Sequence, residues 1–96
     1  MSGEPIEVNC SVHGLGWECR VYLSSEIDAV EYLVTVSRAE LDRYAPGEYE
    51  PTALVEASFR FLLEREPAQS ILRSFSLSTI ERYFPEYREL ILQRAS

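Results

Sequence analysis

The chain of 96 residues contains no lysine, and its nine cationic side chains are all arginines. The absence of lysine excludes Schiff-base catalysis and every mechanism in which a lysine amine is the nucleophile. Histidine occurs once, as His13, and cysteine twice, as Cys10 and Cys19. Catalytic and metal chemistry therefore has few side chains to use.

The sequence also lacks any apolar run near the roughly 18 residues that span a bilayer, so we expect no membrane association. Its first ten residues show neither the basic nor the apolar segment of a secretory signal, which predicts a cytoplasmic protein with reduced thiols. The net charge is −7. Because residues 1–50 carry ten acidic side chains against three arginines, we expect phosphate backbones to be repelled and nucleic acid to be an unfavourable partner.

Alternating apolar and polar residues predict three antiparallel strands at about 5–12, 16–24 and 29–36. Between the first two, Gly14-Leu15 fits a two-residue type II′ turn. That turn places Cys10 opposite Cys19 and brings every apolar residue of both strands to one face.

The remaining sequence favours helices, which we expect at about 38–44, 51–66, 68–75 and 78–93. Ser37 with Glu40 and Ser78 with Glu81 each match a capping box. Because the strands precede the helices, we predict one α+β domain over 1–96: a three-stranded meander whose single apolar face is covered by three or four helices.

Cys10, His13 and Cys19 include residue types that bind zinc, but a structural site usually needs a fourth ligand. Strand alternation also turns His13 away from the cysteines. A redox pair remains an alternative, since Cys10 and Cys19 should lie about 4.5 Å apart at Cα. Two reduced cysteines in the core are favoured, because the pair has no C-x-x-C spacing and no basic neighbour.

No serine, histidine and carboxylate pattern, no phosphate-binding loop and no isolated carboxylate pair is present. We therefore expect no catalytic residues, no metal and no cofactor, and not an enzyme.

Residues 68–84 have the spacing of a helix-turn-helix, which would place Arg73, Thr79 and Arg82 near nucleic acid. Two helices packing through their apolar stripes produce the same pattern, and the segment carries little positive charge.

Four tyrosines suggest contact with another protein, because tyrosine often anchors interfaces. Tyr44 and Tyr49 flank the Pro46-Gly47 turn, and Tyr83 and Tyr87 flank Phe84-Pro85. Tyrosines half-buried at the rim of a small core would show the same pattern.

The segments SFRFLLEREP (58–67) and RYFPEY (82–87) carry a resemblance that covers roughly residues 30–88. They make the chain resemble a group of short, uncharacterised bacterial proteins. The group has no established activity, so the resemblance implies a stand-alone bacterial domain and no function. The sequence favours a non-catalytic module that binds a protein partner or a second copy of itself. The alternatives are a helix-turn-helix regulator and, less favoured, thiol redox chemistry at Cys10 and Cys19.

Overall fold

The computed structural model describes residues 6–24 and 29–95. Strands β1 (Ile6–His13), β2 (Gly16–Ser24) and β3 (Ala29–Val36) form the predicted antiparallel meander, and a short strand β4 (Ser74–Ser76) pairs with β3 in parallel. The helices are α1 (Arg38–Tyr44), α2 (Thr52–Leu63), α3 (Ser78–Tyr83) and α4 (Tyr87–Ala95). This architecture confirms the α+β prediction; residue 5, the predicted start of the first strand, lies outside the described residues.

The predicted register of the hairpin is confirmed, with Cys10 opposite Cys19 and His13 opposite Gly16. Gly14 has φ +62°, the positive value that the first turn position requires. Gly16 is needed for a different reason, because a Cβ there would collide with the carbonyl oxygen of Val36.

The core lies between one face of the sheet and the helices. Alternate residues of β2 and β3 point into it, and the helices supply its aromatic and aliphatic partners. Its largest fully buried side chains are Tyr32, Tyr44, Tyr87, Phe59, Phe61, Leu41, Leu77, Ile91, Val21, Val34, Val36 and Val55. On the opposite face of the sheet, an exposed ion pair joins Arg20 and Glu31 at 3.0 Å. The helices thus cover a single face, as period-two patterning predicts.

The first predicted capping box forms and the second does not. The Ser37 hydroxyl caps α1 by accepting from the N–H of Glu40, and the Glu40 carboxylate accepts from the N–H of Ser37 at 2.8 Å. Glu40 also accepts from the N–H of Ser78, at 2.8 Å. Since Ser78 already lies inside α3 and Glu81 bonds elsewhere, the predicted Ser78–Glu81 box is wrong.

The predicted helix at 68–75 is also wrong. Only Ala68–Ser70 form a single 3-10 turn, after which the chain extends into β4. Hydrogen bonds from the Leu33 N–H to the Arg73 carbonyl (2.7 Å) and from the Leu77 N–H to the Thr35 carbonyl (3.1 Å) hold it against β3. The outer edge of β3 needs backbone partners, and this outweighs the weak helical preference of a short segment.

Two further helix predictions need correction at their ends. The helix predicted at 51–66 ends at Leu63, and the helix predicted at 78–93 is divided into α3 and α4 around Pro85. Proline disfavours helix at the residue before it, and Phe84 accordingly leaves the helical conformation with φ −132° and ψ 87°. In the part of the chain described, no helix is long and apolar enough to cross a membrane.

Candidate interaction groove

A surface groove lies between the end of α2, the segment leading into β4, and α3. Its volume is about 280 Å³. Most of the residues that line it are apolar: Leu62, Glu66, Ser70, Ile71, Leu72, Phe75, Thr79, Ile80, Tyr83 and Phe84. We call this feature the β4 groove.

The walls of the β4 groove are held by hydrogen bonds that cross between elements. The hydroxyl of Tyr32 donates to the carbonyl of Ala68 at 2.7 Å, which fixes the 3-10 turn against the sheet. At the other wall, the hydroxyls of Ser76 and Thr79 lie 3.1 Å apart, and so link β4 to α3. The groove is therefore formed by the fold before any partner binds.

Two large side chains at the groove remain open to solvent. Leu72 is 50% exposed and Tyr83 is 67% exposed. Among the described residues that line the groove, Glu66 is the one that carries charge. The surface therefore offers an apolar floor, which a bound group could bury, together with a single carboxylate and several hydroxyls.

The structure separates the four tyrosines that the sequence suggests for an interface. Tyr44 and Tyr87 are fully buried, whereas Tyr49 is 90% exposed and Tyr83 is 67% exposed. For Tyr44 and Tyr87 the prediction of surface rings is wrong, because their rings pack together with centroids 5.0 Å apart. Tyr83 alone of the four lines the β4 groove.

The buried tyrosines hold helices together through hydrogen bonds. The Tyr44 hydroxyl donates to Glu81 at 2.6 Å, and the guanidinium of Arg43 donates to both oxygens of that carboxylate, at 3.2 and 3.1 Å. Burial, followed by the bond to Glu81, raises the pKa of Tyr44 to about 12. The hydrogen bond from Arg43, followed by that from Tyr44, lowers the pKa of the Glu81 carboxyl below its ordinary value.

Tyr87 has a different partner, the buried hydroxyl of Ser58 at 2.6 Å. Ser58 also donates to the carbonyl of Leu54 at 2.7 Å. Burial raises the pKa of the Tyr87 hydroxyl far above its ordinary value. Each group of the pair is satisfied and enclosed, which is the arrangement of a structural contact.

The residues suggested for nucleic-acid binding do not share one helix face. Arg73 precedes β4 and its guanidinium lies 5.9 Å from the centroid of the Tyr32 ring, Thr79 lines the β4 groove, and Arg82 is exposed on α3. Because 68–75 is not a helix and α3 has only six residues, the pair of helices required by a helix-turn-helix is not formed here.

Cys10 and Cys19 are joined in a disulfide, with their Cα atoms 4.0 Å apart. The prediction of two reduced thiols is therefore wrong for this structure, although the predicted pairing and the short separation are confirmed. Opposed cysteines at a non-hydrogen-bonded position of a hairpin lie within bonding reach. In the described residues, no cluster of three or more histidine, cysteine or acidic side chains could hold a metal ion.

A second apolar surface lies at the tip of the hairpin. Val12 is 77% exposed and Leu15 is 95% exposed. Beside them the guanidinium of Arg38 lies 5.1 Å from the centroid of the Trp17 ring. The apolar face of the hairpin thus extends beyond the helices that cover the rest of the sheet.

Sequence reasoning missed the β4 groove because it assigned Ile71, Leu72 and Phe75 to the inner stripe of a helix. The signal that could have corrected this is the alternation Ser74-Phe75-Ser76, which is typical of a strand but too short to be recognised alone.

Comparison of the chain with protein-family models, with curated proteins and with solved structures finds no match. The resemblance to short bacterial proteins therefore stays a prediction.

Proposed function

We propose that this protein is a non-catalytic binding module that takes an apolar side chain of another protein into the β4 groove. The observation that carries the proposal is the exposure of Leu72 and Tyr83 beside an apolar concavity whose walls are fixed by the fold. Tyrosine is one of the residues that most often dominate the free energy of protein association, and Leu72 adds apolar area that a partner can bury.

The groove is small. Its volume of about 280 Å³ is close to the lower limit of the roughly 300–1,000 Å³ of pockets that enclose drug-sized ligands. A groove of this volume accommodates part of a partner's surface, such as one or two apolar side chains, while the rest of the partner contacts the rim.

Charge supports a partner with basic residues next to its apolar anchor. The Glu66 carboxylate lies at the groove itself. A cationic side chain next to the partner's apolar anchor could pair with it.

Selection of a random peptide library displayed on phage tests the proposal. Wild-type protein is the bait, and Leu72→Glu protein removes peptides that do not need the groove. We expect the selected peptides to combine an aromatic or aliphatic residue with arginine or lysine. Because Leu72 is half exposed, Leu72→Glu protein should retain the fold.

Matched variants then locate the binding of the selected peptide. Tyr83→Ala should weaken it about tenfold, the loss expected when an interface aromatic is truncated. Tyr49→Ala, which removes another exposed tyrosine that does not line the groove, should leave it unchanged. Peptides without a shared pattern, or equal loss with both variants, would count against the proposal.

We do not propose the two alternatives, a helix-turn-helix regulator and thiol redox chemistry at Cys10 and Cys19. The helices needed for a helix-turn-helix are not formed by residues 68–84. Redox exchange at the disulfide is disfavoured because attack on the Cys10 sulfur would form a mixed disulfide with Cys10 and release the thiolate of Cys19, which is fully buried in the core.

The cytoplasm remains our proposed location, and the disulfide provides a test of it. Cytosolic thiols are normally kept reduced. Because Cys19 is buried in the folded chain, cells are quenched in acid and the protein is alkylated after denaturation but before any reduction. Labelled Cys10 and Cys19 would support the cytoplasm, whereas unlabelled cysteines would favour an oxidising compartment that retains the disulfide.

A further inference from the structure

The two edges of the sheet differ in length and protection. The edge formed by β4 has three residues, whereas β1 runs from Ile6 to His13. β1 pairs with β2 without a bulge and contains neither proline nor lysine. No strand in the described ranges pairs with its outer side. Natural sheets usually protect a long edge with such features, and a bare edge readily accepts another strand.

The pairing with β2 determines which backbone groups β1 offers at this edge. His13 and Gly16 flank the two-residue turn, so they form a hydrogen-bonded pair and direct their backbone groups toward each other. The direction alternates along the strand. Val8, Cys10 and Val12 therefore direct their N–H and C=O groups outward, and an added antiparallel strand must pair with them.

We propose that the added strand is β1 of a second copy of this chain, paired antiparallel about a two-fold axis at Cys10. Val8 then lies opposite Val12 of the second copy, and Cys10 lies opposite Cys10. These are the residues whose backbone groups point outward, so each pair can exchange both of its hydrogen bonds. The two sheets become one continuous sheet.

Hydrogen-bond complementarity favours this register, because an imidazole N–H can donate to a carboxylate that lies opposite it. On the solvent face, Glu7 lies opposite His13 of the second copy, and the two-fold axis produces that pair twice. Both side chains are exposed, and the amide of Asn9 donates to Glu7 on the same face at 3.3 Å. Side chains approach most closely at such non-hydrogen-bonded positions. An axis at Asn9 would instead place Glu7 opposite Ser11.

Burial favours the same register. Val12 is 77% exposed in the single chain, and in the dimer it meets Val8 of the second copy on the apolar face. The disulfide to Cys19 holds β1 against β2, so the edge is kept in a strand conformation before it pairs. The dimer leaves the β4 groove free, because β4 forms the opposite edge, and so the inference stands apart from the proposed function.

Sedimentation equilibrium with charge variants tests the proposal. Wild-type protein should show a dimer of twice the 11.0 kDa chain mass. His13→Glu places carboxylates opposite each other at both symmetric positions and should weaken association about tenfold. Glu7→Arg combined with His13→Glu places opposite charges at both positions and should restore the dimer. Glu48→Arg combined with His13→Glu is the control, because it makes the same change in net charge away from β1 and should not restore the dimer. Monomer at every concentration, or a dimer unaffected by His13→Glu, would overturn the proposal.

Nuclear magnetic resonance on a mixture of isotope-labelled and unlabelled protein tests the register. Asn9 lies opposite Ser11 of the second copy in a non-hydrogen-bonded pair, where the two Hα protons are close. We expect an intermolecular Overhauser effect between these protons. Intermolecular effects that involve β4 or the β4 groove, without any at β1, would contradict the proposed dimer.

Discussion

At the scale of single residues, Gly16 shows how one missing side chain permits a close contact. A Cβ at this position would meet the carbonyl oxygen of Val36 and would lie 3.0 Å from the Cα of Ser37. Both obstacles are backbone atoms, which cannot rotate away as a side chain would. The link between the hairpin and the start of α1 therefore requires glycine here.

We predict that Gly16→Ala lowers the free energy of unfolding by about 1–3 kcal/mol, the usual loss when an atom is forced into a packed site. Gly14→Asn is the control, because Gly14 has open space around its Cα and asparagine tolerates positive φ. Urea denaturation of both variants measures the difference. A Gly16→Ala protein as stable as Gly14→Asn would show that the close contact is not real.

The contact of Glu81 with Arg43 and Tyr44 makes stability depend on pH. Because these partners hold the pKa of the Glu81 carboxyl below its value in the unfolded chain, the contact stabilises the fold at neutral pH. This contribution is lost as the pH falls below about 5 and then through the folded pKa.

We expect Glu81→Gln to destabilise the protein by about 1 kcal/mol at neutral pH, since one partner of a charged hydrogen bond is lost. The difference from wild type should shrink as the pH falls through the lowered pKa of the folded state, where the carboxyl of wild type becomes protonated. Urea denaturation across this pH range measures it, with Glu48→Gln as a surface control. A difference that does not change with pH would contradict the assignment.

At the scale of elements, local signals predicted the hairpin well and β4 poorly. The Gly14-Leu15 turn and strict alternation fix the register of β1 and β2, because a slip of one residue would expose every apolar side chain. β4 has no comparable local signal. Its three residues become a strand because the backbone of Leu33 and Thr35 offers partners, and these lie some forty residues earlier in the chain (Ser74↔Leu33).

The disulfide belongs to the hairpin as an element and should stabilise it. Its two cysteines are nine residues apart. In the chain-entropy description, closing such a loop lowers the entropy of the unfolded chain and raises the free energy of unfolding by about 2–3 kcal/mol. We predict that reduced protein, or the Cys10→Ser and Cys19→Ser double variant, loses about that much stability. Urea denaturation with and without reductant measures the loss, and equal midpoints would contradict it.

At the scale of the whole molecule, the order of strands before helices was sufficient to predict an α+β fold with one covered face. The β4 groove could not be predicted in this way. Leu62, Leu72 and Tyr83 come from three separate segments, and their meeting depends on the 3-10 turn that replaces a predicted helix. The Tyr44–Glu81 contact could not be predicted from local sequence either, because it joins residues 37 positions apart.

Exposed apolar groups lie on two separate surfaces, both of which we propose as sites of association. The β4 groove lies at one edge of the sheet, and the β1 edge with Val12 lies at the other. If both surfaces are used, each copy in a dimer keeps its own groove. Binding of the selected peptide should then increase the mass of the dimer by the mass of two peptides. Sedimentation with saturating peptide measures this, and dissociation of the dimer would show that the surfaces are coupled.

The most direct test of the proposed binding function is affinity capture from native lysate with wild-type, Tyr83→Ala and Tyr49→Ala proteins, read by quantitative mass spectrometry. We predict that at least one protein with an apolar and basic surface segment is retained by wild type and by Tyr49→Ala and is lost by Tyr83→Ala. Retention of the same proteins by all three baits, or retention of nucleic acid instead, would contradict it.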